Sequence, residues 1–166
     1  MTHAQDVEPG GQFSVRLARE ADVGAIFAVR LAVRENVLTM AELARLGVTP
    51  ESFRELIRAS ADTWVAERDG IVVGFGSVDR EEGSVFALFV DPGSSGLGIG
   101  DAILSRLEAS LFADCETIWL ETGAESGAAQ FYARRGWRVT VALADGDVRM
   151  EKSRSASVGG PGASRR

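Results

Sequence analysis

Apolar and polar positions repeat with a period that changes several times along the chain, and each change marks an element. Phe13 to Leu17 has the alternating character of a strand. Glu20-Ala21-Asp22 follows as an acidic cluster suited to a first helical turn, where carboxylates face the positive end of the helix dipole. Val23, Ile26, Phe27, Leu31 and Val33 recur at mostly helical spacing and predict a helix to about Arg34. Thr49 as N-cap and Pro50 at the first helical position predict a second helix over Glu51 to Ala59. Thr63–Glu67 and Ile71–Phe75 flank the tight-turn pair Asp69-Gly70 and read as a hairpin. A polar turn, Asp79 to Gly83, leads to the apolar run Val85–Val90, a buried strand that ends at Asp91-Pro92-Gly93.

Beyond a glycine-rich turn, Ile103, Leu104, Leu107 and Leu111 mark a helix from about Gly98 to Phe112. A buried strand, Thr117–Glu121, precedes a helix from about Ser126 to Arg135, which Gly136 stops. Trp137–Leu143 and Asp147–Glu151 form a closing hairpin across Asp145-Gly146. The order β-α-α-β-β-β-α-β-α-β-β contains one strand-helix-strand step, which requires a parallel pair and a right-handed crossover. The predicted fold is therefore α/β: a mixed, mostly antiparallel sheet with a central parallel strand pair and helices on both faces. No repeat or linker divides residues 13–152. The polar leader, 1–12, and the Ser/Gly/Ala-rich tail, 153–166, read as disordered ends, the tail carrying Arg154, Arg165 and Arg166.

Composition narrows the chemistry. At 166 residues, 45% apolar and 25% charged, the chain has the length and balance of one globular domain. No apolar run approaches the roughly 18 residues of a membrane span, and the polar start does not read as a signal peptide, so a cytoplasmic location is expected. Cys115 is the single cysteine, and the single histidine, His3, lies in the leader. Ser-His-Asp, Cys-His and histidine-ligated zinc chemistry are thereby excluded, and no metal is expected. A net charge of −6 argues against a nucleic-acid partner. Lys152 is the only lysine, an arginine bias that suggests GC-rich coding in a bacterium.

The turn Ser95-Gly96-Leu97-Gly98-Ile99-Gly100 carries the strongest chemical signal. Strand, glycine turn and helix together make an anion site, because the first backbone N–H groups of a helix lack internal partners and the dipole adds positive charge. The same glycines could also serve a plain chain reversal. A Walker A loop is excluded, since Ile99 stands where its lysine is needed after Gly98. A dinucleotide fingerprint fails in both registers, with Asp101 or Ile103 at the last glycine position.

The segment resembles the coenzyme A motif of the GNAT acetyltransferase superfamily, [QR]-x-x-G-x-[GA] after a strand ending in V-x-P. Val90-Asp91-Pro92 matches the strand end and Gly98-Ile99-Gly100 the turn. Downstream, Ala128-Ala129-Gln130-Phe131-Tyr132-Ala133-Arg134-Arg135-Gly136-Trp137 resembles the family's A-x-x-[FL]-Y-x-x-x-G-[FW] helix end. The Val15-Arg16 strand and the Asp22 helix start resemble its usual opening, so the resemblance covers roughly Phe13 to Lys152. Two positions depart from the pattern: Ser95 replaces the motif's arginine or glutamine, and Asp101 puts a carboxylate in the first helical turn.

The resemblance implies an N-acetyltransferase that uses acetyl-CoA as co-substrate and acts on a primary amine of a small molecule or a protein. It implies that the backbone of Leu88, Phe89 and Val90 pairs with the pantetheine arm, with an amide near Val90 polarising the thioester. It further implies that Ser95, Gly96, Leu97, Gly98, Ile99, Gly100 and Asp101 surround the pyrophosphate. Tyr132 matches the tyrosine that protonates the leaving thiolate, although packing alone would also explain it. The family's frequent glutamate falls on Ala87 and is missing. Glu121 and Glu35 are the alternative bases, or ordered water takes the proton. Arg34, Glu35 and Asn36, with the loop to Gly47, fall where the family builds its acceptor pocket. Trp64 and Trp119 are expected in the core. Many relatives dimerise, which makes a homodimer an expectation, with no membrane partner. A catalytically silent acyl-CoA-binding sensor or regulatory module is the alternative function.

Overall fold

The computed structural model describes the backbone of residues 6–7 and all of residues 12–155. Most of the expected leader and tail, His3, Arg165 and Arg166 lie outside the described residues. Eight strands form one sheet: β1 (Asp6–Val7), β2 (Ser14–Leu17), β3 (Thr63–Arg68), β4 (Ile71–Asp79), β5 (Ser84–Val90), β6 (Thr117–Gly123), β7 (Arg138–Ala142) and β8 (Asp147–Ser153). Their order is β1-β2-β3-β4-β5-β6-β8-β7, antiparallel throughout except for β5 and β6. The helices are α1 (Val23–Ala32), α2 (Met40–Arg45), α3 (Pro50–Ala59), α4 (Ile99–Phe112) and α5 (Gly127–Ala133).

Strand alternation sorts side chains into two cores, one on each face. Phe75, Val65 and Ala87 join Val23, Ile26, Phe27, Leu43 and Phe53 beneath α1, α2 and α3. Val73, Val85, Ile118, Leu120 and Met150 face Ile103, Leu107 and Leu111 of α4, with Tyr132 and Trp137 nearby. Glycines set how closely α4 approaches. A Cβ on Gly76 would lie 2.7 Å from Ile103 Cγ2 and 2.8 Å from Leu107 Cδ1, so the helix rests directly on the backbone of β4.

The sequence pattern misplaces several features. The stretch expected to be loop between Glu35 and Gly47 contains α2, whose N-cap Thr39 accepts from Glu42 N and whose Glu42 carboxylate accepts from Thr39 N. The helix is only six residues long, too short for hydrophobic periodicity to mark it. In α1 the buried residues are Val23, Ile26, Phe27, Val29 and Arg30, whereas Leu31 is 43% exposed and Val33 lies past the helix end. Strand β1 pairs with Ser14 and Val15 from within the expected leader. At the other end, Ser153 completes β8, and Arg154 donates to the carbonyls of Phe112 and Cys115. Trp64 and Trp119 are half-buried, with the Trp119 indole N–H donating to the Glu82 carbonyl.

Candidate active site

The parallel pair is where the sheet opens. Its register is limited to Ser84 opposite Trp119, with Trp119 N donating to Gly83 O at 3.1 Å. Beyond that bridge the strands separate, and a cavity of about 650 Å³ runs between Val85–Val90 and Leu120–Gly123. The Asp91 amide donates to Val73 O at 2.8 Å, which fixes the backbone alternation in β5. The backbone groups of Phe89 and the amide of Asp91 therefore turn to β4, while Leu88 and Val90 turn their backbone groups to the gap. A bulge contributes as well: Ser77 lies opposite Ala87 and Val78 opposite Val85, so Phe86 is left unpaired at the cavity wall.

At one end of the gap lies the glycine turn. Gly96 and Gly98 have φ of 79° and 85°, in the left-handed region, and a Cβ on either would meet open space. Their glycine identity thus answers to backbone conformation and not to crowding. Gly98 is the N-cap of α4, and its carbonyl accepts from Ala102 N. The amides of Gly96, Leu97 and Gly98 donate to no described backbone group, and those of Ile99, Gly100 and Asp101 occupy the first helical turn, where internal acceptors do not exist. Ser95 lines the cavity at this end. Asp101 forms an ion pair with Arg135, which also donates to Phe131 O and stacks its guanidinium 3.6 Å from the Phe131 ring centre. The hydrogen bond from Arg135 holds the Asp101 carboxyl below its ordinary range. The carboxylate that departs from the family pattern is thus turned toward a cation.

Tyr132, 6% exposed, packs on Phe131 and Trp137 with ring centres 5.3 and 5.6 Å away, and it lines the same cavity. Trp137 is anchored in turn by its indole N–H, which donates to Glu108 at 2.9 Å. Burial pushes the Tyr132 phenol above its ordinary value near 10, so it is held protonated. Glu121 is exposed on the opposite wall. Glu35 lines the cavity as well, and its two carboxylate oxygens accept from Gly127 N at 3.1 and 3.2 Å, tying the segment after α1 to the start of α5. Arg34 and Asn36 line the cavity beside it.

Sequence reasoning missed a second cavity of about 230 Å³ under α1 and α2, lined by Phe27, Arg30, Leu38, Leu43, Phe53 and Phe75 among others. It adjoins the first, since Asn36, Phe86, Ala87 and Phe89 line both. The signal for it was present: Arg30 occupies the i+7 position of the stripe begun by Val23, Ile26 and Phe27, a charged residue on a core-facing row. Also missed were Ser126, whose Oγ caps α5 by accepting from Ala129 N, and Asp147, both on the larger cavity's wall.

A mixed sheet opened at its parallel pair, with a glycine turn at one end of the opening, defines the acyl-CoA N-acyltransferase architecture. A family model described as the acetyltransferase (GNAT) domain matches residues 34–147, and the chain belongs to that family. It is 44% identical over 80 residues to an uncharacterised N-acetyltransferase of Methanocaldococcus jannaschii, a match over 45% of this chain. The chain spans about half the length of that curated relative, 51%. Among solved structures, the PaiA N-acetyltransferase of Thermoplasma acidophilum in complex with coenzyme A superposes with a TM-score of 0.72 at 16% identity, covering 86% of this chain and 99% of that one. The YncA protein of Salmonella typhimurium, solved with its cofactor acetyl-CoA, gives 0.67 at 20% identity, over 89% and 96%. The ribosomal-protein-S18-alanine N-acetyltransferase of Escherichia coli gives 0.63 at 18%, over 88% and 97%. At these identities the likeness shows the fold.

Proposed function

We propose that this chain is an N-acetyltransferase that takes acetyl-CoA into the gap between β5 and β6 and passes the acetyl group to a primary amine. The observation that carries the proposal is the single cavity joining free backbone groups of Leu88 and Val90, the Ser95 end of the glycine turn and the Tyr132 ring. Acetyl-CoA supplies the thioester. The chain's own part is to accept the pyrophosphate on the amides of residues 96–101, to align the pantetheine along β5 and to aim an N–H of β5 at the carbonyl oxygen. Tyr132, held protonated by burial, is the proton donor for the leaving thiolate. With alanine at position 87, the cavity wall carries the carboxylates of Glu35, Glu121 and Asp147; Glu35 accepts from the Gly127 amide, and Glu121 takes the amine's proton, directly or through water.

The test is release of free thiol from acetyl-CoA over a panel of amines, alongside a calorimetric titration with coenzyme A. Binding with thiol release supports the proposal. Binding without release from any amine favours an acyl-CoA sensor or regulatory module, a reading fed by the missing glutamate at Ala87. No binding at millimolar coenzyme A overturns both. A cytoplasmic, bacterial setting and a homodimer belong to the same proposal. The arginine bias supports the bacterial setting. Among the described residues, no helix is long and apolar enough to cross a membrane. Among those residues no cluster of His, Cys, Asp or Glu could hold a metal ion.

A further inference from the structure

Arg30 is 6% exposed, yet it forms no ion pair with any described residue, and its Nη1 atom is buried without a hydrogen-bond partner. Arginine is almost never so buried unless paired, because removing the cation from water is costly. The guanidinium stacks on the Phe89 ring, 4.4 Å from the guanidinium carbon to the ring centre. Burial alone holds its pKa below the ordinary arginine value, and no carboxylate offsets it. Arg30 lines the smaller cavity, whose other walls are mainly apolar. Phe89 lies between Leu88 and Val90, the residues whose backbone faces the proposed acetyl site. A cation seeking an anion therefore stands next to the place where an acceptor amine must arrive.

We infer that the acceptor is an apolar or aromatic amino acid, its carboxylate bound by Arg30 and its side chain in the pocket formed by Phe27, Leu38, Leu43 and Phe53. This rests on the acetyl-transfer reading above and deepens it. The planar guanidinium suits a carboxylate because two parallel N–H donors match its two oxygens. An amino acid sets its amine two bonds from the carboxylate carbon, so anchoring the acid at Arg30 leaves the nitrogen close to β5. At about 230 Å³ the cavity is smaller than pockets for drug-sized ligands, which run from about 300 Å³, and it suits a single residue's side chain. In the transfer the amine nitrogen forms the C–N bond as the C–S bond breaks. The amine's proton goes to Glu121 or water, and the thiolate takes one from Tyr132, which is then reprotonated by solvent.

The decisive comparison removes only the carboxylate. Phenylalanine and leucine are assayed against phenethylamine and isoamylamine, with kcat/KM expressed per free amine. N-acetylphenylalanine and N-acetylphenethylamine are titrated into coenzyme A-loaded protein, which needs no turnover. The amino acids should be favoured at least about tenfold, the effect of one charge-assisted pair in a buried site. Arg30→Met should bring the two members of each pair within about twofold of one another, and Arg30→Lys should restore part of the difference. Equal or better use of the decarboxylated amines by the wild-type protein overturns the inference, as does an undiminished preference in Arg30→Met. Selective binding of N-acetylphenylalanine without thiol release from any amine would leave the carboxylate site standing and remove the transfer reading. Release with decarboxylated amines alone would do the reverse.

Discussion

Gly100 and Phe131 touch: a Cβ on Gly100 would lie 3.2 Å from two atoms of the Phe131 ring. The glycine turn and the Phe-Tyr pair, 31 positions apart in the chain, are thus packed against each other, and Arg135 clamps the contact by holding Asp101 and covering the ring. Two motifs that gain specificity as a pair in the sequence are one physical unit in the fold.

That unit responds to charge. Replacing Arg135 by Gln leaves Asp101 unneutralised in the first turn of α4, so coenzyme A affinity should fall, and fall more at low salt than at high. Asp101→Asn should leave affinity equal or improved. Calorimetric titration of both variants at two ionic strengths checks the pair; stronger binding by the Arg135 variant would contradict it.

At Gly98, φ is 85° and the surrounding space is empty, so an alanine there meets backbone strain alone. Gly98→Ala should lose about 1 kcal/mol of stability and turn the amides that face the anion. A drop in coenzyme A affinity of at least about fivefold, roughly 1 kcal/mol, is expected by titration. Unaltered affinity with reduced stability would confine Gly98 to a folding role.

Tyr132→Phe keeps the packing on Trp137 and deletes the proton donor. Turnover should fall at least about tenfold with little change in the KM for acetyl-CoA. Because burial raises the phenol's pKa, the wild-type pH–rate profile should show no alkaline fall below pH 10 that disappears in the variant. Full turnover by Tyr132→Phe would dismiss the assignment.

The acid limb of stability should involve Asp22, which accepts from Arg16 and from the Arg19 amide at 2.7 Å. Burial works to raise its pKa, but these hydrogen bonds prevail and hold it below the ordinary 3.8. A carboxylate with a depressed folded-state pKa stabilises above its unfolded value, and the contribution is lost as pH falls through the lower folded one. Asp22→Asn should cost about 1–3 kcal/mol in urea unfolding at pH 7 and progressively less towards pH 2. An equal cost at both ends would point to packing instead of charge.

Gly76→Ala tests the seat of α4. The new Cβ, within 2.8 Å of Ile103 and Leu107 atoms, should destabilise by about 1–3 kcal/mol through overpacking, visible as a lower denaturation midpoint at an unchanged slope.

Most of the framework was legible because its signals are local. Thr49-Pro50 starts α3, Asp69-Gly70 turns β3 into β4, and Gly136 follows α5, each through chemistry contained in a few residues. The acceptor side was less legible. Helix α2 is too short for periodicity to register, and Arg30 reads as one more surface arginine until the stripe of Val23, Ile26 and Phe27 is followed one turn further. The position of β8 between β6 and β7 was likewise out of reach, since a closing hairpin can join the sheet by either strand. Glu35 shows the limit most clearly: its partner, the Gly127 amide, is 92 positions away, and only the folded chain makes it a tether.

The brief pairing of β5 with β6 has a consequence for how the molecule breathes. With the ladder reduced to the Ser84–Trp119 register, β1–β5 and β6–β8 are two hydrogen-bonded slabs, and their facing edges are open in the middle of the sheet where strands elsewhere are protected on both sides. Amides along those edges should exchange with solvent independently of the slabs they border. A chain-like ligand laid between them would act as a missing rung, slowing exchange on both edges at once and making the two slabs unfold together.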